Sequence, residues 1–522
     1  MGAKLFAVGA AVVTTAALGA PAPAASAAVA RSEAETAPSV CTGTVDTNWP
    51  GYSGAGFCNG DNAVGAYVQF TVVAPAAGAA TLGIRFANGT TAARTADVLV
   101  NGAKAQSAPF GATGSWSAWA SQTLSLTLPA GSSTVRLSPT TAAGLPNIDY
   151  AELTTGDTPA AGTLYVAPTG KDTAAGTLAD PTTLPSALSR VTAGGTISLR
   201  GGTYGYAQTI TIPPGNSGTS GARKTLSAYP GETPVLNFSA MPEDPANRGL
   251  ALNGSYWHVA GLVVERAGDN GIFVGGSNNV IERTVTRFNH DSGLQISRIA
   301  SDTPQAQWPS NNLVVSSESH DNADSDGEDA DGFAAKLTAG PGNVFRYDVS
   351  HHNIDDGWDL YTKTDTGPIG PVTIEDSLAY DNGTLTDGTV NENGDRNGYK
   401  LGGDKIAVDH VVRRDIAYHN GHHGFTYNSN PGTITVSDNV GIDNAERNFS
   451  FDTGTSVFRN DTSCRFAGGG SNDKIVGSSD SSNQFWSGTN GSRCSSYAGA
   501  LRWSFAADGH LVVTFGGAVV TP

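Results

Sequence analysis

The sequence predicts an all-β chain in two parts, a β-sandwich followed by a solenoid of stacked coils. Three observations carry this. Glycine supplies 66 of the 522 residues and methionine only two, a composition that favours turns and strands over helices. Residues 32–156 break into short alternating segments between Gly, Asn and Pro turns, the pattern of a sandwich. Beyond residue 270, short glycine-centred segments recur, and self-similarity at short period means a solenoid.

In chain order, residues 1–27 come first. Lys4, an apolar run from Leu5 to Leu18 and the small residues Ala25-Ser26-Ala27 have the layout of a signal peptide, so the mature chain is expected to be secreted. The apolar run is shorter than the roughly 20 residues a membrane span needs, and no membrane association is expected. Four cysteines suit an oxidising destination and fall as two local pairs, Cys41 with Cys58 and Cys464 with Cys494, which are expected to form disulfides. No Cys-x-x-Cys spacing supports a thiolate metal site instead.

In the sandwich region, Ala66 to Val72 and Ala96 to Val100 alternate as half-buried strands do. The succession Glu33-Ala34-Glu35, Arg85-Phe86-Ala87-Asn88-Gly89, Gly114 to Trp119 and Pro146-Asn147-Ile148-Asp149-Tyr150 resembles the family 6 and 35 carbohydrate-binding modules. That resemblance implies a sugar held in a loop cleft and a structural calcium position at Glu33, Glu35 and Asp149. Trp119, Tyr52 and Asn147 can form the sugar platform, because an aromatic face covers the apolar side of a pyranose and an amide takes its hydroxyls. Either Trp116 or Trp119 can instead fill the sandwich core.

A Thr, Pro, Ala and Gly stretch from Thr154 to Thr163 reads as a linker, assigned to residues 157–163. The second domain is assigned to residues 164–518. Its opening, Leu164 to Gly170 and Thr196 to Tyr204, resembles the cap and first coil of right-handed parallel β-helix proteins.

Strand-like runs then recur at Asn279 to Glu282, Asn312 to Val315, Asn343 to Arg346, Val372 to Ile374 and Thr433 to Val436. Asn289, Asn353 and Asn420 each stand four residues before Gly293, Gly357 and Gly424, and Asn444 stands four before Asn448. Stacked amides can hydrogen-bond along a solenoid, so these corners predict an asparagine ladder.

After each glycine the first and third residues are apolar: Leu294 and Ile296, Phe333 and Ala335, Trp358 and Leu360, Tyr399 and Leu401, Phe425 and Tyr427, Phe449 and Phe451. A period of two turns them inward and leaves an outward column of Gln295, Ala334, Asp359, Lys400, Thr426 and Ser450. Glycine spacing is 22, 25 or 26 residues in most coils and stretches to 39 and 41 in two. The excess, about Arg298 to Ser310 and Gly383 to Arg396, is loop, and such loops border binding grooves.

Coils stack about 4.8 Å apart, so Asp331 on one coil faces Asp356 on the next, with Asp355 and Asp359 close by. Carboxylates this crowded need a cation, and Ca2+ accepts six to eight oxygens in flexible geometry. The other acids, Asp321, Asp324, Asp326, Glu328 and Asp329, read as a solvated loop. Lys400, one coil beyond Asp359, is either a salt-bridge partner or a general base. Lys336 and Lys363 compete for that role but follow the inward third residue of their strands.

A formal charge of −17 disfavours nucleic acid as a partner, since phosphate binding needs a basic face. It also opposes an acidic polysaccharide unless a cation bridges the two. A base beside calcium suits β-elimination in a uronate polymer: the cation neutralises the C6 carboxylate, C5–H becomes acidic, and its loss expels the C4 oxygen.

Asp329 to Lys336, Ser350 to Lys363 and Asp395 to Gly403 resemble the family 9 polysaccharide lyases, pectate lyases, across roughly Leu164 to Gly517. The resemblance implies Lys400 as catalytic base, Asp331, Asp355, Asp356 and Asp359 as calcium ligands, and polygalacturonate or pectin as the partner polysaccharide; the chain is expected to act as a monomer. Arg396 is a candidate contact for a substrate carboxylate. Two other classes stay open at this point: a glycoside hydrolase using Asp356 and Asp359 as paired carboxylates, and a non-catalytic polysaccharide binder stiffened by calcium.

Overall fold

The computed structural model describes residues 29–74, 78–129, 131–155 and 162–521. The expected signal peptide and most of the expected linker lie outside them. The chain divides into two compact units, with the division between residues 160 and 161.

The first unit is a sandwich of two antiparallel sheets. One contains Val29–Glu33, Gly43–Asp46, Phe57–Gly60, Gly78–Ala87, Ala120–Leu128 and Asn147–Thr155; the other contains Val40–Cys41, Val68–Ala74, Arg94–Val100, Ala103–Phe110 and Gly131–Pro139. Alternation does the work: Val68, Phe70, Val72 and Ala74 are buried while the residues between them are not, and they meet Leu82, Ile84 and Phe86 of the facing sheet in one core. Cys41 and Cys58 are disulfide-bonded and join the two sheets.

The second unit opens with the strand Thr163–Val166, followed by a seven-residue helix, Leu184–Arg190, capped by Thr183, whose hydroxyl accepts the Ser186 N–H at 3.3 Å. Behind it rise three parallel sheets of twelve, ten and ten strands, each strand paired with its counterpart one coil away. This is a parallel β-helix. Its interior holds a stack of rings, Phe333, Trp358, Tyr399, Phe425 and Phe449, with centroids 4.7–5.1 Å apart, close to the ~4.8 Å coil rise.

The predicted runs Val280–Glu282, Leu313–Val315, Asn343–Arg346, Val372–Glu375 and Thr435–Ser437 all lie in the twelve-stranded sheet. The asparagine ladder is longer than the glycine spacing suggested. It runs Asn289, Asn322, Asn353, Asn382, Asn420, Asn444, Asn448, each amide donating to the next at 2.8–2.9 Å. The residue before each of the first six is a non-glycine at positive φ, as at Phe288, His352 and His419; the ladder holds these corners against the steric cost of that conformation.

The glycine column answers to crowding between coils. A Cβ at Gly357 or Gly398 would sit 2.5 or 2.7 Å from the carbonyl oxygen of the next coil's glycine. At the carboxyl end, Leu501–Phe505, Leu511–Phe515 and Ala518–Val520 form a small antiparallel sheet. It covers Val349, Leu378, Ile416, Val440 and Ile442, outward-facing side chains of one ten-stranded sheet, and the Cys464–Cys494 disulfide secures this region. Sequence reading did not anticipate this cover.

Candidate active site

The other ten-stranded sheet carries the site. Its outward column reads Gln295, Ala334, Asp359, Lys400, Thr426, Ser450 in direct register. The partner column of Phe333, Trp358 and Tyr399 is buried, so the ring stack fixes the strand from which Asp359 and Lys400 project.

At the corner before the glycines, Asp331, Asp355 and Asp356 are buried and present carboxylate oxygens within 4.8 Å of one another. Backbone N–H groups hold their outer faces. Asp355 Oδ1 accepts from Asp395 N at 2.5 Å and Arg396 N at 3.1 Å; Asp356 Oδ1 accepts from Asn397 N at 2.6 Å and from the Asn397 amide at 3.0 Å. Their inner faces are crowded. Burial, with mutual repulsion only partly relieved by the lysines, pushes the carboxyl of Asp331 up to about 7 and that of Asp356 up to about 8, and raises Asp355 far above the carboxylate range.

Two lysines enter the same cluster. Lys400 Nζ lies 3.2 Å from Asp356, 3.7 Å from Asp359 and 2.9 Å from Asp395. Lys336 Nζ lies 2.7 Å from Asp331 and 3.6 Å from Asp359. Burial opposes both charges, but the surrounding carboxylates outweigh it and hold both ammonium groups well above their ordinary range. Asp359 Oδ1 is buried without a partner, and Asp356 Oδ2 is buried with only the Lys400 ammonium beside it at 3.2 Å. An oxygen-only set of carboxylates with a buried oxygen left unpartnered fits a hard divalent cation.

Over the cluster opens a cleft of about 520 Å3, lined by Lys336, Asp359, Tyr361, Lys363, Asn393, Asp395 and Lys400 among others. The loop from Gly383 to Arg396 therefore borders it, through Asn393 and Asp395. Asp321 anchors that loop by accepting the N–H and hydroxyl of Thr386 at 2.8 and 2.7 Å, and Asn391 and Asn393 donate to the Asp326 carbonyl at 2.8 and 2.9 Å. The acids read from sequence as a solvated stretch thus include Asp321, which is buried, and Glu328 and Asp329, which line the cleft.

The loop from Arg298 to Ser310 supplies no lining residue. Nor does Arg396: its aliphatic chain lies against Gly383, and its guanidinium pairs with Glu392 at 3.3 Å. Lys336, ranked below Lys400 on strand alternation, is brought fully into the cluster. Its strand ends at Ala335, and past that end alternation no longer governs where a side chain points.

In the sandwich unit, Glu33, Glu35 and Asp149 converge on residues 53–55. Ser53 donates its N–H to Asp149 at 3.0 Å and its hydroxyl to Glu33 at 2.8 Å, and Ala55 N–H donates to Glu35 at 2.9 Å. Burial lifts the Asp149 carboxyl to about 6 despite Ser53 and Arg85. Glu35 Oε2 is buried without a partner. Tyr52 and Trp119 are half-buried and flank Phe57, with centroids at 5.8 and 5.4 Å. Asn147 is only 4% exposed, so it offers a ligand little surface.

Comparison with known proteins agrees with this geometry. Residues 164–462 match the family described as Pel9A-like, right handed beta helix region, and residues 33–155 match carbohydrate binding module family 6. The chain is 54% identical over 329 residues to pectate lyase L of Paenibacillus polymyxa strain SC2, covering 63% of this chain and 73% of that protein. It is 46% identical over 292 residues to pectate lyase L of Thermoclostridium stercorarium, covering 56% of this chain and 23% of that longer protein. Among solved structures, pectate lyase Pel9A superposes with a TM-score of 0.57 at 30% identity, covering 69% of this chain and 88% of that one. The chain belongs to the family 9 pectate lyases, polysaccharide lyases built on a right-handed parallel β-helix, and carries a family 6 carbohydrate-binding module ahead of that domain.

Proposed function

We propose that this chain is a secreted, calcium-dependent pectate lyase that cleaves polygalacturonate by β-elimination, with Lys400 as the base. The observation that carries the reading is the placement of a buried lysine amine beside a buried carboxylate trio at the edge of an open cleft. Asp331, Asp355 and Asp356, with Asp359 beside them, would hold Ca2+. The ion, when bound, neutralises the C6 carboxylate of a uronate and so makes its C5–H acidic.

The chain's own groups do the rest. Lys400 Nζ takes the C5 proton, and the electron pair released forms the C4–C5 double bond as the C4 glycosidic oxygen leaves. Asp395, 2.9 Å from Nζ, aims the amine. Asp356 and Asp359, which raise its proton affinity here, are the same carboxylates that would turn to the cation, so the amine is freed to act as a base when they do. Tyr361 narrows the cleft wall, with Lys400 Nζ 5.6 Å from its ring centroid.

Secretion rests on the amino-terminal sequence pattern and the two disulfides. In the module, Glu33, Glu35 and Asp149 would hold a structural calcium, and Trp119 and Tyr52 would supply the sugar-binding face.

The test is release of ultraviolet-absorbing unsaturated product from polygalacturonate, with and without chelator, for wild type, Lys400→Ala and Lys336→Ala. Loss of product with chelator, and a rate about 10² to 10⁴ lower in Lys400→Ala, support the reading. Near-normal turnover in Lys400→Ala with collapse in Lys336→Ala moves the base to Lys336. New reducing ends without ultraviolet absorbance would make the enzyme a hydrolase.

A further inference from the structure

Two coils beyond the carboxylate trio, the same corner of the solenoid carries a different set of ligand atoms. Asp356 is bonded to Asn397 on the next coil, and Asn397 in turn accepts the His423 N–H at 3.2 Å on the coil after. Here His422, His423 and Glu446 each offer one ligand atom, all within 4.8 Å of one another.

Local bonds build the arrangement. Glu446 N–H donates to the His422 carbonyl at 2.9 Å, which sets Glu446 directly beside the histidine pair. His422 Nε2 meets Glu446 Oε2 at 2.9 Å, and its Nδ1 faces the Asp395 carbonyl at 3.2 Å. Arg447 pairs with the other oxygen of Glu446 and leaves Oε2 facing the imidazoles. The two rings lie nearly parallel with centroids 3.9 Å apart.

The second observation is independent of the clustering. His423 is 9% exposed, and its Nδ1 is buried with no hydrogen-bond partner. A buried imidazole nitrogen left unsatisfied is costly, and no hydrogen bond in the structure satisfies this one. A cation would satisfy it, and neutral imidazole is the form that binds metal.

We propose that His422, His423 and Glu446 form a second metal site, suited to a borderline divalent ion such as zinc rather than to calcium. Calcium takes oxygen ligands, and this set offers two imidazole nitrogens and one carboxylate, a combination that zinc accepts together with a water in an open position. The two corners therefore select different ions: oxygen donors alone at Asp331, Asp355 and Asp356, mixed nitrogen and oxygen donors about two coil rises, or roughly 10 Å, further along.

The test is calorimetric titration of zinc chloride into the tag-free, calcium-loaded full chain, for wild type, His423→Ala and Glu446→Gln. Cobalt(II) serves as a second probe, because four-coordinate binding in such a site gives it an intense visible absorption band that the aqueous ion lacks. One zinc equivalent in wild type, weakened at least 10-fold in Glu446→Gln and more in His423→Ala, supports the site, together with a cobalt band that both variants lose. Glu446 is half-exposed, so its amide variant reports on binding without disturbing the core. Absence of saturable zinc binding in wild type, or wild-type affinity in both variants, overturns the proposal.

Discussion

The coils through Asp359 and Lys400 and those through Thr426 and Ser450 are built alike on the inside and differently on the outside. Trp358 and Tyr399 stack at 4.8 Å, and Phe425 and Phe449 at 4.9 Å, in one continuous column. Each ring is next in sequence to an outward residue: Asp359 and Lys400 in the first pair, Thr426 and Ser450 in the second. The inward residue fixes where the neighbour points; the outward residue decides what happens there. Geometry and chemistry are thus written at alternate positions, and they can be perturbed separately.

The largest expected effect separates the outward positions. Lys400→Ala should lower turnover on polygalacturonate by about 10² to 10⁴, whereas Thr426→Ala, one coil on in the same column, should change it by less than about tenfold, since it removes only an uncharged hydroxyl and a methyl group. Product formation followed in the ultraviolet measures both. Comparable losses would mean that the coil beyond Lys400 takes part in the chemistry and that the two regions are not distinct in the way their side chains suggest.

The next effect should not distinguish the regions at all. Trp358→Ala and Phe425→Ala both empty a ring-sized space from a fully buried stack, and each should cost about 3–5 kcal/mol of unfolding free energy. Denaturant titration of the full chain in calcium checks this. A much smaller cost at Phe425 would show that the downstream coils relax into the gap, and that the charged coils alone are rigidly supported.

The inward and outward columns were legible in the sequence because a period of two and a glycine marker determine them, and the register from Gln295 to Ser450 follows directly. What escaped did so where that marker fails. Asn322 and Asn382 belong to the ladder, but long insertions follow each of them, so no glycine stands four residues on. Lys336 reaches the carboxylates because its strand has already ended. Arg396 points away because its aliphatic chain fills the space over Gly383. The small sheet over Val349, Leu378 and Ile416 pairs antiparallel and so shares no period with the coils it covers.

The ladder offers a smaller perturbation placed between the two regions. Asn382 links Asn353, on the Asp355 and Asp356 coil, to Asn420, on the His422 and His423 coil. Asn382→Ala leaves buried donors and acceptors unpaired and should cost about 1–3 kcal/mol. If the ladder also sets the corner from which the aspartates project, calcium affinity measured by titration should fall in this variant. An unchanged affinity would show that the ring stack alone positions them.

At a second corner the two regions differ in a group that titrates. Upstream, Asn279, Asn312 and Asn343 form a ladder, with Asn312 donating to Asn343 at 3.0 Å. Downstream, the equivalent place is taken by His410, whose Nδ1 accepts the Val372 N–H at 3.1 Å. Burial drives the His410 imidazole down to about 3, while in the unfolded chain it titrates near 6.5. Below that unfolded value the unfolded chain binds a proton that the folded chain refuses. Stability on account of this group is therefore flat well above pH 6.5 and falls below it with a slope that approaches about 1.4 kcal/mol per pH unit. Wild type and His410→Asn unfolded by urea at pH 6.5 and 5.5 isolate the term, because every other titrating group is common to both. The wild type should lose about 1 kcal/mol more than the variant over that interval, because at about pH 6.5 the unfolded imidazole is already half protonated. Equal losses would mean that His410 reaches water before the coils unfold, and that the downstream corner is as indifferent to acid as the asparagines upstream.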